Sequence, residues 1–384
     1  MNFFDRFRNI RREIRDAKRF FDDRASKRAI TFYSEKDVYY QYFEGHLGVL
    51  TEKYGKDVSY LTSDPKDPVF EAHLPLLHAF FVNESLPTVF RKFDGKALVM
   101  TVPDLNQFHL KRATDSVHHV YAFHAMISTH LQYKQGAFDF YDAMLCVGPH
   151  HVEELRRAEK AYGLRPKTLI ECGYPFLEKI YKEHMEYRSQ YVLREKKRIL
   201  IAPTWGEICI LNSCIHELLD ELMKIGKYEV ILRPHPEFIK REPEKARALA
   251  RKAEETPGIS FEKNLLSTRS LHEADVLITD QSGIAFEYAL GTERPVLFVD
   301  TPLKMQNPGY KRLGIEPIEV SLRSRLGVRV PIEKINDLAS YLRELESRRS
   351  GFGKEMEVLR KEYVFNWMSS GEKGAAYIKG VSER

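Results

Sequence analysis

The sequence is poor in cysteine and contains no long apolar run. Its 384 residues include four cysteines, none of them in the C-x-x-C spacing typical of metal sites, which indicates reduced structural thiols in a reducing compartment. No stretch reaches the roughly 18 apolar residues that span a bilayer, and the first residues lack the apolar core of a signal peptide. We therefore expect a cytoplasmic protein.

The excess of one charge sign is slight, and the sequence has no low-complexity tracts and no internal repeats. The net charge of +5 does not by itself indicate a nucleic-acid binder, so we expect no nucleic-acid partner. A hydrophobic content of 43% with 30% charged residues is typical of a globular protein, and the length is comfortable for two domains.

Residues 1–28 differ from the rest in composition. Their apolar side chains recur at steps of three and four, as on one face of a helix: Phe3, Phe4, Phe7, Ile10, Ile14, Ala17, Phe20 and Phe21. Arginines and lysines lie between them, which predicts a basic amphipathic helix. Two interpretations stay open. The helix binds anionic headgroups on the inner face of the cell membrane, or it packs on the protein or on a second subunit.

From residue 29 onward, short apolar runs alternate with helical patterns, which predicts parallel sheets with crossover helices. A charged helical segment, 178–198, separates two such series. We predict an α/β protein of GT-B architecture, with two Rossmann-like domains facing a central cleft. The domains are placed at 29–180 and 195–365, and a C-terminal helix, 366–384, is able to pack back on the first.

Polar residues follow four predicted strands of the second half. The candidates for substrate contact at these strand ends are Thr204, Trp205, Arg233, His235, Asp280, Ser282 and Gly283. Arginine and histidine donate hydrogen bonds to phosphate oxygens, and a helix that starts after a small-residue turn presents free backbone N–H groups. Because ligands of such sheets bind beyond the carboxyl ends of the strands, these residues predict a pyrophosphate site.

The ordered motifs at 199–206, 233–236, 274–290 and 294–300 resemble those of the CDP-glycerol glycerophosphotransferase family of teichoic-acid and related surface-polymer synthesis. The resemblance implies transfer of a polyol phosphate from a CDP-activated donor to a polyprenol-linked or glycan acceptor. It assigns Arg233 and His235 to the donor pyrophosphate and the Ser282–Gly283 turn to a phosphate. It also places Thr204 and Trp205 at the cleft.

The same resemblance implies a histidine base in the first half, which would deprotonate the acceptor hydroxyl. Our first choice is His130 and our second is His124, with Lys134 nearby as a further contact. Neither histidine is followed by the family's glycine, and the family's usual Tyr-Ser-Ser is replaced by residues 281–283. Glu287 is either a contact of the donor ribose or a capping residue.

We expect direct attack of the acceptor on the donor, with no metal and no cofactor, by a protein able to form a homo-oligomer. Three alternatives remain. One is a GT-B glycosyltransferase that uses a UDP-, GDP- or CMP-sugar in capsule or lipopolysaccharide synthesis, and a second is a non-hydrolysing UDP-sugar epimerase. The third is a non-catalytic scaffold of a polymer-synthesis complex.

Overall fold

The computed structural model describes residues 3–107, 110–190 and 194–384, with side chains from Arg6 onward. The chain divides into two compact units. The first comprises Met1–Phe176, Asn307–Ile315 and Glu362–Arg384, and the second comprises Leu177–Gln306 and Glu316–Lys361. The C-terminal segment thus belongs to the first unit.

The first unit is built on a parallel sheet of seven strands. They are β1 (Ile30–Ser34), β2 (Val58–Thr62), β3 (Leu77–Phe81), β4 (Ala97–Met100), β5 (His118–Ala122), β6 (Ala143–Cys146) and β7 (Thr168–Glu171). Their order across the sheet is β3-β2-β1-β4-β5-β6-β7. Most strand residues are buried, because helices cover the faces of such a sheet.

The second unit contains a six-stranded parallel sheet. Its strands are β8 (Lys197–Ile201), β9 (Tyr228–Leu232), β10 (Ile259–Phe261), β11 (Val276–Thr279), β12 (Val296–Asp300) and β13 (Gly327–Pro331), in the order β10-β9-β8-β11-β12-β13. The last strand was not anticipated from the sequence. It pairs with β12 along five residues and begins at Gly327, where a Cβ atom would lie against the backbone of Val296.

The helices follow the strands in alternation. In the first unit they are α1 (Phe3–Asp22), α2 (Tyr40–Gly48), α3 (Leu86–Lys92), α4 (Thr129–Gln132) and α5 (Pro149–Tyr162). Helix α6 (Pro175–Ser189) contains the boundary with the second unit and occupies most of the charged segment placed between the domains.

Most of the remaining helices belong to the second unit, and the last of them belongs to the first. They are α7 (Ile210–Ser213), α8 (Ile215–Ile225), α9 (Pro236–Arg241), α10 (Pro243–Glu255), α11 (Arg269–Glu273), α12 (Ile284–Thr292), α13 (Ile318–Ser321), α14 (Arg323–Leu326), α15 (Leu338–Ser347), α16 (Phe352–Tyr363) and α17 (Ser370–Ser382). Helix α17 packs on α2, where the carbonyl of Gly371 lies 3.2 Å from Nδ1 of the buried His46.

Both sheets have the strand order of the Rossmann fold, and the predicted α/β class with two parallel-sheet domains is confirmed. In this order the chain reverses its direction of growth between the first and fourth strands. Ligands bind in the crevice beyond the carboxyl ends of those two strands. The crevice of the second sheet therefore lies beyond β8 and β11, where the predicted phosphate-binding residues occur.

Among the described residues, no helix has both the length and the apolar character required to cross a membrane.

Candidate functional site

Asp280 organises the carboxyl edge of the second sheet. It follows β11 and is fully buried, and its two carboxylate oxygens accept the backbone N–H groups of Thr204, Ile210 and Gln281 at 2.7, 3.0 and 2.7 Å. Burial raises the pKa of Asp280, while the three N–H groups favour the carboxylate. The side chain thus fixes the loop after β8 against the end of β11.

Gln281 holds a second loop at the same edge. Its amide nitrogen donates to the carbonyls of Thr301 and Pro302, and its amide oxygen accepts the backbone N–H of Lys304 at 2.6 Å. All three contacts are local to the segment that follows β12. The residue that departs from the family's tyrosine therefore fastens this segment to the β11 turn.

The contacts of Gln281 place a cation, Lys304, at the carboxyl edge of the second sheet. Its ammonium group donates to the hydroxyl of Thr204 at 3.1 Å and lies 3.8 Å from the centroid of the Trp205 ring. Burial lowers the pKa of Lys304 to about 8, against the opposing attraction of Asp280. A lysine that is poorly solvated in this way gains from an anionic ligand, because the ligand replaces the lost water.

His235 lies next to the same indole ring, with ring centroids 6.3 Å apart. It is the N-cap of α9, and its Nδ1 accepts the backbone N–H of Glu237 at 3.1 Å. This hydrogen bond assigns the proton of the neutral ring to Nε2, which makes Nε2 a donor. On α9 the guanidinium of Arg241 lies over the Trp205 ring at 4.5 Å, so three basic side chains surround one indole.

The turn before α12 has the backbone geometry expected of an anion site. Ser282 and Gly283 are partly exposed, Gly283 is the N-cap, and helix α12 spans nine residues. The positive end of the helix dipole and the first N–H groups therefore point beyond the sheet edge. Glu287, one turn later, is 8% exposed.

The guanidinium of Arg233 turns toward the segment that follows β10. Its Nη1 donates to Glu262, to the carbonyl of Ser267 and to the hydroxyl of Ser270, and its Nη2 donates to the carbonyl of Leu265. Four partners inside the protein favour a role in positioning this segment. Direct contact of Arg233 with the donor pyrophosphate stays a prediction.

In the first unit, His124 follows β5 and is partly buried among aromatic rings. Its ring makes edge-on contacts with Tyr39, Tyr42 and Tyr133, and its Nδ1 is 3.4 Å from the hydroxyl of Tyr121. Burial lowers the pKa of His124 to about 4, so the neutral ring is present at neutral pH. No described residue forms a hydrogen bond with Nε2, and in the tautomer whose Nδ1–H donates to Tyr121 this nitrogen can accept a proton.

His130 has a different environment, since its side chain is 2% exposed. Its Nε2 lies 3.2 Å from the carbonyl of Ile315, and its Nδ1 is 3.4 Å from the carboxylate of the buried Glu154. Glu154 in turn accepts the N–H and hydroxyl of Thr129, at the start of α4. Both ring nitrogens of His130 therefore face acceptors inside the unit. Lys134 is exposed, at the mouth of a pocket that His130 also lines.

A model of the family described as CDP-glycerol:poly(glycerophosphate) glycerophosphotransferase matches residues 97–305, which is more than half of the chain. The chain belongs to this glycerophosphotransferase family. The family predicted from the ordered motifs is thereby confirmed.

A curated relative points the same way. The chain is 27% identical over 172 residues to the teichoic acid glycerol-phosphate primase of Bacillus subtilis (strain 168). The alignment covers 44% of this chain and 42% of the primase, so it spans less than half of either protein.

Solved structures confirm the GT-B fold. The wall teichoic acid polymerase TagF, in a variant soaked with CDPG, has a TM-score of 0.63 at 16% identity, with 100% of this chain and 99% of that chain covered. The structure of S. aureus MnaA with UDP has a TM-score of 0.57 at 12% identity, covering 91% of this chain and 96% of that one. At such identities the likeness concerns the fold alone.

Sequence reasoning did not single out Lys304 and Arg241, the two cations that contact Trp205. Lys304 lies four residues beyond the end of β12, the strand that ends the motif at 294–300. Extending the search by one loop length at each strand end would have found it. Arg241 gives no comparable signal, because it closes a helix and its direction depends on how α9 packs.

Proposed function

We propose that this family member transfers a polyol phosphate from a CDP-activated alcohol, such as CDP-glycerol, to an acceptor in cell-surface polymer synthesis. The acceptor hydroxyl attacks the donor phosphorus that carries the polyol, the new O–P bond forms, and the bond to the bridging oxygen breaks. CMP leaves with the electron pair of that bond. The observation that carries the proposal is the cluster of Lys304, Arg241 and His235 around Trp205, at the sheet edge where α12 also begins, in a chain of this family.

The cluster supports a diphosphate group because it combines three kinds of donor. Lys304 supplies a positive charge, Nε2 of His235 an oriented N–H, and the Ser282–Gly283 turn backbone N–H groups with a helix dipole. As CMP departs, negative charge grows on the bridging oxygen. Donors already in place stabilise that charge without the cost of reorienting solvent.

For the base we propose His124 ahead of His130. The proposal is supported by an Nε2 without a partner among the described residues, whereas the nitrogens of His130 face Ile315 and Glu154. The proton of the acceptor hydroxyl passes to His124 as the new bond forms.

A donor screen by thermal shift tests this function. We expect CDP-glycerol or CDP-ribitol to raise the melting temperature of the full chain, and UDP- and GDP-sugars to leave it unchanged. The Lys304→Met variant should lose the shift. Stabilisation by a UDP-sugar alone would favour the glycosyltransferase alternative, and turnover of a UDP-sugar without an acceptor would favour the epimerase.

We further propose that α1 attaches the protein to an anionic membrane surface from the cytoplasmic side. The helix packs on the first unit through Glu13, Asp16 and Phe20, which is buried against Phe80 and Phe93. Glu13 accepts the N–H groups of Asn83 and Ser85 at 2.7 and 2.6 Å, and Asp16 accepts that of Phe81 at 3.2 Å.

The opposite face of α1 carries the exposed apolar residues. Phe7, Ile10 and Ile14 are 51%, 41% and 66% exposed, on one stripe by their spacing. Exposed arginines and a lysine flank this stripe: Arg8, Arg11, Arg15 and Lys18. An apolar stripe edged by cations is suited to the interface of acidic lipids, where each cation near the surface contributes about 1 kcal/mol.

Flotation with vesicles of phosphatidylglycerol and phosphatidylcholine tests this attachment. The full chain should float with the acidic vesicles, less so at high salt, and the triple variant Phe7→Ser, Ile10→Ser, Ile14→Ser should remain at the bottom. A matched control replaces three exposed apolar residues elsewhere, Leu76, Val358 and Met368, by serine. Equal flotation of the two triple variants would contradict the proposal.

A further inference from the structure

The first unit contains a pocket of about 460 Å³, and the proposed function assigns a role to few of the residues that line it. It lies between α5 and the segment that follows α4, and the chain around Asn307 closes one side. Its volume is within the roughly 300–1,000 Å³ typical of small-molecule sites.

Lys167 is the unusual residue of this pocket. It directly precedes β7 and is 6% exposed, and its backbone N–H donates to Glu159 at 2.8 Å. Within the described part of the chain, its ammonium group forms no hydrogen bond and no ion pair. Burial lowers the pKa of Lys167 from its ordinary value. The side chain is nearly buried and its ammonium has the pocket as its remaining neighbour, so a ligand in the pocket that accepts from it would be stabilised.

Two carboxylates limit what the ligand can be. Asp139 and Glu159 both line the pocket, and both attract the Lys167 ammonium without contacting it. Glu159 is paired with Arg156 at 2.6 Å, so a phosphate bound at Lys167 would meet chiefly the negative charge of Asp139. A hydroxyl group, in contrast, both accepts and donates, so neighbouring hydroxyls can accept from the ammonium and donate to the carboxylates.

The rest of the lining has the same mixed character. Gln107 and Gln135 lie at the exposed mouth, while the rings of Phe138 and Tyr162 offer apolar surface. Aromatic surface with a few oriented polar groups is typical of specific small-molecule sites. We infer that this pocket binds an uncharged, diol-bearing ligand, a saccharide or polyol, with its hydroxyls between Lys167 and the carboxylates of Asp139 and Glu159.

The identity of that ligand rests on the proposed function. In a glycerophosphotransferase the group that fits is an uncharged sugar or polyol portion of the acceptor. The pocket lies along α5, which starts at the carboxyl end of β6 and runs back toward the amino ends of the strands, where Lys167 precedes β7. It would therefore hold a part of the acceptor away from the hydroxyl that reacts.

Crystals of the full chain soaked at near-saturating concentration with methyl β-D-glucoside or with glycerol 3-phosphate test the ligand class. We expect density for the glucoside, with hydroxyls bridging Lys167 and Asp139. A phosphate on Lys167 would overturn the assignment to an uncharged ligand, and a pocket that stays empty with both probes would overturn the site.

Steady-state kinetics test the link to the acceptor. Lys167→Met should raise the acceptor KM about tenfold, as for a lost charged hydrogen bond, with the donor KM unchanged. Asp139→Asn, at an exposed position that tolerates change, should act in the same direction. The matched control is Lys160→Met, an exposed lysine on α5 outside the pocket.

The experiments distinguish a failure of the proposed pocket ligand from a failure of the proposed function. Turnover of a CDP-polyol with an unchanged acceptor KM in both pocket variants would contradict the role in acceptor binding and leave the proposed function intact. Absence of turnover with every CDP-polyol would contradict the proposed function, while the soaks would still decide which ligand the pocket takes.

Discussion

The two units have the same order in their first six strands, yet different chemistry at their carboxyl edges. The second edge holds Lys304, Arg241 and His235 around one indole ring, next to the N-terminus of α12. On the first, the residue with an available nitrogen is His124, which is neutral and surrounded by tyrosine rings.

This difference shows how one fold serves two kinds of substrate group. The sheet supplies the same geometry to both units, so the side chains after each strand decide what is bound. Cations and oriented N–H groups suit the phosphates of a donor. A neutral imidazole in an aromatic setting suits a hydroxyl that must lose a proton, because such a ring is not already protonated.

The largest effect should come from removing the proton acceptor of the first unit. His124→Ala should lower kcat about 10²- to 10⁴-fold, the usual contribution of a general base. The melting temperature should fall by a few degrees, because the variant loses ring contacts with three tyrosines but no hydrogen bond at Nε2. Single-turnover kinetics at saturating donor and acceptor, with a melting curve of the same sample, measure both quantities.

His130→Ala is the comparison that can reverse this choice. It removes a side chain that is 2% exposed and leaves a cavity beside the buried Glu154, a loss that costs about 2–5 kcal/mol for large core side chains. We therefore expect a lower melting temperature first. If His130→Ala lost more activity than His124→Ala with its stability unchanged, the base would be His130.

Much of this architecture could be predicted because parallel strands have strong local signals. The short apolar runs of the sequence include Tyr228–Leu232 and Val276–Thr279, and each of these is an observed strand. Strand β13 was not predicted because it starts at a glycine and contains the charged Arg329 between two valines, which obscures the apolar run expected of a buried strand.

The directions of long side chains could not be predicted. Arg233 follows its strand as expected, but its guanidinium finds four acceptors in the segment after β10, a pairing set by tertiary packing. The amphipathic pattern of α1 was recognised, yet of its apolar face Phe20 packs into the unit beside Glu13 and Asp16, while Phe7 stays exposed. Carboxylates lie on the packed face of α1 because the backbone N–H groups of the neighbouring loop require hydrogen-bond acceptors.

The next effect in size concerns the cation of the second unit. Lys304→Met should weaken donor binding about 10- to 100-fold, since a charged hydrogen bond contributes about 1.5–3 kcal/mol. Calorimetric titration with CDP-glycerol measures this change. Lys240→Met on α9, an exposed lysine, is the matched control and should bind as the unchanged chain does. Equal affinity of the two variants would remove Lys304 from the donor site.

A third expectation uses the opposite protonation states of the two residues. His124 acts when neutral, above its pKa of about 4, and Lys304 acts when charged, below its pKa of about 8. Activity should stay level from pH 5 to 7 and fall several-fold above pH 8 through a rising donor KM. Lys304→Arg should move this decline to higher pH. A decline below pH 6.5 instead would contradict a base with the low pKa of His124.

The smallest effect on donor binding is expected from Arg233, the cation that sequence reasoning favoured. Arg233→Met removes its contacts with Glu262 and with the carbonyls after β10, so the protein should lose about 2 kcal/mol of stability, on the order of 5 °C in Tm. Donor affinity, measured well below the melting temperature, should change less than threefold. A large loss of affinity with an unchanged Tm would mean that Arg233 leaves its internal partners to bind the pyrophosphate. Arg233 would then bind the donor in addition to Lys304 and the other basic groups around Trp205.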